Sequence, residues 1–600
     1  MTEYIVLGLA SILAAGIAAQ WLSWRLGLPS ILLLLLFGFI LGPITKVLNP
    51  DDFFGELLFP FVSLSVAIIL FEGGLTLKFK ELKAVGNVVL RLILIGIPIT
   101  LVLATFFAYT VLEFSFLISL LFGSILVVTG PTVILPILRQ VKPNSKINSI
   151  LKWEGIVNDP IGALIAILVF EAILAAGIEE ATIITILGLL KTVFLSSLLG
   201  IVGAVIIVFI IKRDLVPDYL QNSISLTLAL LVFVISNIFQ KESGLFAVTI
   251  MGIMIANQKS IVIKHIIEFK ENIRLLLISV LFIILAARLN IETLEALGWQ
   301  SIVFTIILIL LVRPAAVFLS TIKTKINFNE KVFVSAMAPR GIVAAAVSAL
   351  FALELQNEGI EEAAVLVPIT FMVIIATITV YGLSAAPLAK YLKLAKPNAQ
   401  GCLIIGASPF ARRIAEALRN LNFQVVLVDT NWDNIKKARM EGFSNYYGSV
   451  TSDYIIDEID YYGLGKMISL TPNDEVNSLA ALNFSKIFGA NQVFQLPSFS
   501  KEKEDKNHVA REFKGKILFG KKFNFQYLNN LVEKGYSIKS SKITDKYNLK
   551  QINENYGADQ IVHLFKVVEK ELNPILEGTE LDLKNGNVLI SLLKDSEVKS

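Results

Sequence analysis

From Tyr4 to about Leu394 the chain is a succession of apolar runs, each near the roughly 20 residues that a helix needs to cross a hydrocarbon core. Cutting the runs at charged or Pro/Gly-marked breaks predicts about 13 spans. The first run, Tyr4–Gln20, follows Glu3 and no basic segment, so it reads as a span and not as a signal peptide. The connecting loops sort by charge. One set holds Arg25, Lys78, Lys80, Lys83, Arg139, Lys142, Lys146, Lys212 and Arg213, then Lys259, Lys264, Lys270, Lys323, Lys325, Lys331, Lys390, Lys393 and Lys396. The alternating set holds Asp51, Asp52, Glu56, Glu113, Glu179, Glu180, Glu292, Glu295, Glu354, Glu358, Glu361 and Glu362, with Lys46, Lys191 and Lys241 as its basic exceptions. Basic loops mark the cytoplasmic side, which places the N-terminus outside and the C-terminal part in the cytosol of a cell whose plasma (inner) membrane holds the protein.

After Pro397 the texture is that of a soluble protein. CLIIGASPFARRIAEALRNLNFQVVLVD reads as a buried strand, a tight glycine turn, an amphipathic helix and a second strand ending at Asp429. A helix near Trp432–Glu441, a strand at Met467–Leu470 and a helix opening at TPNDEVN continue the unit. The last stretch, with QIVHLFKVVE and NVLISLL, suggests a small β-rich subdomain. The expected organisation is a polytopic α-helical membrane transporter over 1–397, a cytosolic α/β Rossmann-like domain over 398–515 and a small C-terminal α/β or β-rich subdomain over 516–600.

Composition narrows the function. Apolar residues make up 55% and charged residues 17%, outside the range of soluble proteins. A formal charge of +4, distributed among short loops, argues against a nucleic-acid partner. Cys402 is the only cysteine, which rules out an internal disulfide and a cysteine metal cluster. His265, His508 and His563 all lie outside the predicted spans, so a histidine-lined transition-metal path is not expected.

A carboxylate or guanidinium at membrane depth is costly and must be paired, solvated or used. Glu72 lies in LFEGGLTL, Glu154 and Asp159 in LKWEGIVNDPIGALIAIL, and Arg340 in MAPRGIVAAAVSAL. Glu154 and Asn158 share one helix face, and Gly155 and Asp159 the next. Pro160 after Asp159, and Thr129-Gly130-Pro131 within VVTGPTVILPIL, imply disturbed backbone near the midplane, the sequence mark of a transporter's binding site. Hard oxygens suit a small alkali cation, and the same carboxylate takes up a proton once the cation leaves. One site with two exclusive occupants is an exchanger. Arg288 and Arg313, near predicted span ends, are expected to snorkel to the interface, and Glu171 is expected near the outer face.

FEGGL, the Glu-x-x-x-Asn-Asp run and APRGIVA, in this order and spacing over roughly Ile5–Lys390, resemble the NhaP/NHE-type monovalent cation:proton antiporters. The resemblance implies an inverted-repeat antiporter fold and a homodimer. It also implies that Asp159 carries the cation and the proton, with Glu72 as a second Na+ ligand, Thr129 near the unwound crossing, and Asn158 completing the pair associated with electroneutral exchange. Glu154 paired with Arg340 would hold the packing around the site. Two positions depart from the family pattern: Gly130 stands where an Asp is usual and Gly155 where a Ser is frequent, which removes oxygen ligands and leaves selectivity open.

The C-terminal unit is similar to the TrkA-N or RCK regulatory domains, with Asp429 ending the second strand and Asn477 in NDEVN. Its turn, Gly406-x-Ser408-x-x-Ala411, keeps one glycine of three, so a nucleotide site at Gly406, Ser408, Ala411 and Asp429 would hold NAD or an adenine nucleotide weakly. The function expected is Na+/H+ antiport with Li+ or K+ as further substrates, no cofactor for transport, and no enzymatic reaction. A K+/H+ antiporter is the alternative. An RCK-gated channel is remote because no TVGYG-like filter run occurs, and a Rossmann-type redox enzyme is remote because no catalytic constellation accompanies the turn.

Overall fold

The computed structural model describes residues 2–26, 28–174, 178–258, 260–261, 263–289, 291–292, 297–395, 399–497, 515–557, 560–579 and 581–594. They fall into two compact units, Met1–Ala395 and Lys396–Ser600. The boundary expected at 397/398 lies outside the described residues, as do Lys259, Glu295, Lys396 and His508.

The first unit is helical throughout. Among the described residues seven helices are long and apolar enough to cross a membrane, and five shorter apolar helices accompany them. The expected count of about thirteen is met among the described residues when two interrupted pairs are each taken as one crossing. Helix Ile178–Lys212 begins early, so Glu179, Glu180 and Lys191, expected in a loop, lie on a helix instead. The side chains of Glu179 and Glu180 are outside the described residues. Large apolar side chains such as Phe194, Val205 and Ile238 face outward, as they must where hydrocarbon replaces water. Trp24, Tyr219, Trp299 and Tyr391 are exposed at helix ends, where amphipathic rings favour the membrane interface. Helix Ser145–Leu174 is different: 67% of its apolar window is buried inside the protein, so it is a central element and carries its polar residues inward.

Helices pack here through small residues, because hydrocarbon gives apolar side chains no reason to leave lipid. At Gly74 an added Cβ would lie 2.5 Å from the Thr249 carbonyl, and at Gly38 2.6 Å from that of Ile283. The two interrupted crossings are Phe116–Ile125 with Pro131–Val141, and Phe328–Ser335 with Ile342–Asn357. Pro131 and Gly130 break the first, as the sequence implied. The second break, over 336–341, contains Pro339 and Gly341 and was not foreseen. The two gaps meet: a Cβ on Gly130 would stand 2.7 Å from Gly341 Cα, and one on Gly341 2.8 Å from Gly130 Cα.

The second unit contains a six-stranded parallel sheet built from β1 (Gly401–Ile405), β2 (Val425–Asp429), β3 (Ser444–Tyr447), β4 (Leu464–Ser469), β5 (Val493–Gln495) and β6 (Lys516–Ile517). Its order, β3-β2-β1-β4-β5-β6, is that of a doubly wound dinucleotide-binding fold. Strand alternation sorts the core: Cys402 and Ile404 meet helices Pro409–Asn420 and Trp432–Met440, whereas Leu403 and Ile405 meet helix Asp474–Phe488. Strand β6 lies past the expected boundary at 515/516 and still pairs with β5. Beyond it β7 (Tyr536–Lys542), β8 (Ile561–Val568), β9 (Glu571–Pro574) and β10 (Val588–Lys594) form an antiparallel sheet in the order β7-β10-β8-β9, the β-rich tail.

The close approach of Gly130 and Gly341 predicts that Gly130→Ala lowers the thermal unfolding temperature of the detergent-solubilised protein, at a cost of about 1–3 kcal/mol from overpacking. Gly86→Ala is the control, since a Cβ there meets only Leu82 Cβ at 3.6 Å. Equal unfolding temperatures for the two variants would contradict the crossing geometry.

Candidate functional site

Gly155, Asp159 and Gly162 recur at i, i+4 and i+7 on helix Ser145–Leu174 and so share one face. A Cβ on Gly162 would touch Val128, at 2.6 Å from its Cγ2, and one on Gly155 would touch Ile134 Cδ1 at 3.0 Å. Asp159, between the two, is therefore laid against the break that ends at Gly130 and the first turn of helix Pro131–Val141. The glycine at 155, a departure from the expected Ser, is what lets Ile134 in.

Asp159 is fully buried, and neither carboxylate oxygen has a hydrogen-bond partner among the described residues. Asn158 Oδ1, Thr129 Oγ1 and Thr132 Oγ1 are buried and unpartnered in the same way. Thr132 Oγ1 is also close to the crossing, 3.1 Å from a Cβ placed on Gly130. Buried polar groups are almost always hydrogen-bonded, so a collection of orphaned oxygens around an interrupted helix is a place built for something other than protein. The expected Asp159, Asn158 and Thr129 are brought together. Thr132 was missed, although it stands three residues after Thr129 across the same break.

Four half-helix ends meet here, two offering free N–H groups and two free carbonyls. Arg340 donates from Nη1 to the Val128 carbonyl at 3.2 Å, on the carbonyl-rich end of the first pair, and its backbone N–H donates to Thr377 Oγ1. Its charge is within reach of Asp159.

The expected Glu154–Arg340 ion pair is not formed. Glu154 is bound by Arg313 through both carboxylate oxygens, Nη1 to Oε1 at 2.6 Å and Nη2 to Oε2 at 3.0 Å. Arg313 also donates to the carbonyls of Val334 and Met337 at the second break, of which Val334 also accepts from Met337 N. The expectation that Arg313 snorkels fails for the same reason: it sits mid-run in Trp299–Ser320 and is 6% exposed, turned toward Glu154 and those carbonyls. Glu72 is in a second buried pair, its Oε2 2.7 Å from Arg274 Nη1. Arg274 was overlooked because it closes a charged stretch, KENIR, that reads as a loop. Gly73 packs against Ile156, which sets Glu72 near the Asp159 helix while its charge is met by Arg274. Arg288 pairs with Asp51 at a partly exposed position, consistent with a span end, and Glu171 accepts from Gln240.

The sequence profile of the sodium/hydrogen exchanger transmembrane family matches residues 9–391. The chain belongs to this family. The exchanger's C-terminal unit matches the TrkA-N domain over residues 402–504. Among its relatives, Na(+)/H(+) antiporter 1 of Methanocaldococcus jannaschii is 29% identical over 370 residues, covering 58% of this chain and 83% of the relative. The K(+)/H(+) antiporter NhaP of Alkalimonas amylolytica is 24% identical over 64% of this chain and 66% of its own. The solved structure of the sodium proton antiporter MjNhaP1 superposes with a TM-score of 0.59 at 25% identity, covering 65% of this chain and 99% of that one. The exchanger is thus a multi-pass membrane antiporter by family and fold, and these relatives are transporters, not enzymes.

In its TrkA-N unit the nucleotide turn is closed on itself. Gly406 takes φ +99°, with Leu470 O only 2.7 Å from where a Cβ would be, so the glycine is required. The amide of Ala407 donates to Asp429 Oδ2 at 2.7 Å, that of Phe410 to Asn529 Oδ1 at 3.4 Å and that of Ala411 to Ser408 Oγ at 3.3 Å. Pro409 has no amide to give. Asp429 also accepts from Asn431 N and Asn434 Nδ2. The amides of Ala407, Phe410 and Ala411 and the Asp429 carboxylate, which would help to hold a pyrophosphate and a ribose, are engaged by the chain itself, an arrangement that fits a dinucleotide poorly. Asn477 is fully buried and bonded to Ser469 and Thr471, which gives it a role in joining β4 to the next helix.

Arg313→Met leaves Glu154 buried without its counter-charge and is expected to cost about 3–5 kcal/mol of stability. Adding Glu154→Leu should restore only part of this, because the Met337 carbonyl still lacks its donor. Full recovery of thermal stability in the double variant would show that the Glu154 charge, not the carbonyls, is all that Arg313 serves.

Proposed function

We propose that this chain is a sodium/proton antiporter in which Asp159 binds either the cation or a proton and alternating access carries each across the membrane. The observation that carries this reading is the fully buried Asp159 carboxylate, unpartnered on both oxygens, facing an interrupted helix whose Thr129 and Thr132 hydroxyls are likewise free of partners. A paired carboxylate would have no reason to exchange occupants. Asp159, Asn158, Thr129 and Thr132 supply hard oxygen ligands for Na+, Li+ is a further substrate, and K+ is the alternative to which NhaP-type relatives point. Glu72, already met by Arg274, adds a second carboxylate to the site only in a conformation where that pair opens. One titrating carboxylate beside Asn158 makes the exchange electroneutral. The alternation of basic and acidic loops supports a plasma-membrane topology with the N-terminus outside and the C-terminal unit in the cytosol, where it regulates transport as part of a homodimer.

Asp159→Asn is expected to insert normally and lose cation-driven pH change in everted vesicles, while Glu72→Gln retains measurable exchange with weaker cation affinity. Wild-type exchange should reach the same final pH gradient with or without a potential-collapsing ionophore. Retained exchange in Asp159→Asn would remove it from the site, and a strong dependence on potential would show a second cycling charge. Equilibrium dialysis of the whole protein against NAD should give well under one molecule per chain, since the turn amides are occupied. Stoichiometric, tight binding would show that the turn opens.

A further inference from the structure

The chain leaves its last membrane helix through residues 392–395, a stretch that neither the exchange site nor the soluble fold uses. Two leucines among lysines at a helix end would ordinarily trail into solvent. Instead Leu392 and Leu394 are buried in the core of the membrane unit. Lys393 takes φ +58°, a left-handed conformation uncommon outside glycine. The amides of Leu394 and Ala395 then both donate back to the Ala389 carbonyl, at 2.8 and 3.3 Å, so the stretch is folded against the helix it has just left.

Its other side is joined to a corner of the site. Lys142-Pro143-Asn144 connects helix Pro131–Val141, which carries Thr132, to helix Ser145–Leu174, which carries Asp159. Lys142 turns the corner at φ +49°, and Asn144 caps the second helix, its Oδ1 accepting from Ile147 N at 2.9 Å. Pro143 pairs with Ala395 in an antiparallel bridge, and Asn144 N donates to the Leu394 carbonyl at 2.9 Å. The second interrupted crossing is tied in as well. Asn329 Nδ2, in the first turn of helix Phe328–Ser335, reaches the Leu392 carbonyl at 3.4 Å. Lys146 donates to Glu330 Oε2 at 2.6 Å, and that oxygen also accepts from Asn327 N at the cap of the same helix. Residues 392–395 thus hold the outer ends of both interrupted crossings.

The chain is anchored again where the second unit begins. Gln400 Oε1 accepts from Lys466 Nζ on β4 at 2.7 Å and from Leu572 N on β9 at 3.1 Å, which fixes it to both sheets of that unit. A Cβ on Gly465 would collide with the Ala399 carbonyl, so Ala399 is laid against β4. Between the anchors the sequence has only Lys396, Pro397 and Asn398, at most about 11 Å of chain.

We propose that residues 392–395 are a coupling strap, through which a rearrangement of the C-terminal unit resets the corner at 142–144 and with it the affinity of the exchange site for its cation. This rests on the reading of Asp159 as the exchange site. A movement of Gln400 greater than three residues can absorb draws on the strap. The strap moves with the corner to which it is paired, and the corner sets the helix of Thr132 against the helix of Asp159. Both side chains offer oxygens to the cation, so the affinity changes while the number of protons exchanged per cation does not.

The test uses the full-length protein in vesicles, with Na+ as the probe. Inserting about eight Gly/Ser residues between Asn398 and Ala399 adds roughly 15 Å of reach and leaves both anchors intact. It is expected to shift the apparent KM for Na+ about fivefold, the low end of ordinary coupling between sites, with protons exchanged per cation unchanged. Asn329→Ala with Leu394→Ala, which loosens the strap at its membrane end, should shift KM in the same direction. Rescue separates coupling from mere stability. Pro143→Cys with Ala395→Cys, added to the loosened variant together with Cys402→Ser, places two thiols on paired residues within disulfide reach. Oxidation should return KM to the wild-type value and reduction should release it, whereas the same disulfide in the chain with the insertion should change nothing.

An unchanged KM on insertion, or an oxidised disulfide that fails to restore the loosened variant, would overturn the strap. Should the loosened variant not fold, the insertion decides alone. Asp159→Asn run in parallel separates the two readings: exchange surviving there defeats the site assignment, whereas a silent insertion beside an inactive Asp159→Asn defeats only the strap.

Discussion

The contact on which the membrane unit depends is backbone on backbone. Gly130 and Gly341 approach so closely that neither tolerates a Cβ without movement, and they do so at the points where two helices have lost their hydrogen-bond ladders. In hydrocarbon an unpaired N–H or carbonyl costs several kcal/mol, so interrupted helices survive only where other groups replace the lost bonds. Bringing the two gaps together puts the interrupted backbone of both helices in one protected place. It also concentrates the partial charges of four helix ends there, which is why two arginines are drawn to the same region.

The two arginines divide that work. Arg340 donates to the Val128 carbonyl of the first gap, and Arg313 to Val334 and Met337 of the second. Arg313 is neutralised by a bidentate Glu154, which ties helix Ser145–Leu174 to the second gap. Arg340 has no such carboxylate bonded to it among the described residues, and Asp159 lies within its electrostatic reach. The contrast explains how two acids five residues apart on one helix differ: Glu154 is satisfied and structural, Asp159 is unsatisfied and available. Desolvating a lone carboxylate is tolerable only if it is protonated or holds a cation, and those are the two occupants an exchanger must alternate.

Much of this was legible in the sequence, unevenly. Span number and the first gap follow from run length and Thr129-Gly130-Pro131, because hydrophobic run and backbone breaker are local properties; the disturbance expected at Pro160 does not occur, since helix Ser145–Leu174 runs unbroken through it. Strand alternation likewise gave the parallel sheet and its first glycine turn. Partner choice was not legible: Glu154 had three buried arginines to choose from, and Arg313 lies 159 residues away from it. Arg313 was misplaced because an arginine in an apolar run looks like a span end, and only Glu154 and the carbonyls at the second break show why it points inward. The second gap was hidden in APRGIVA, where Pro339 and Gly341 carry the same signal as Gly130 and Pro131 but were read as part of a motif. In the C-terminal unit the damaged glycine turn pointed to weak nucleotide binding, yet the filling of its amides by Asp429 and by Asn529, 119 residues from Phe410, is a tertiary fact.

The central claim is that a cation and a proton compete for Asp159. Its most direct measurement is proton release from the purified, detergent-solubilised protein in weak buffer on addition of Na+, at a pH where the site begins protonated. The account predicts release approaching one proton per chain in the wild type and in Glu72→Gln, saturating with Na+, and none in Asp159→Asn. Undiminished release from Asp159→Asn would contradict it.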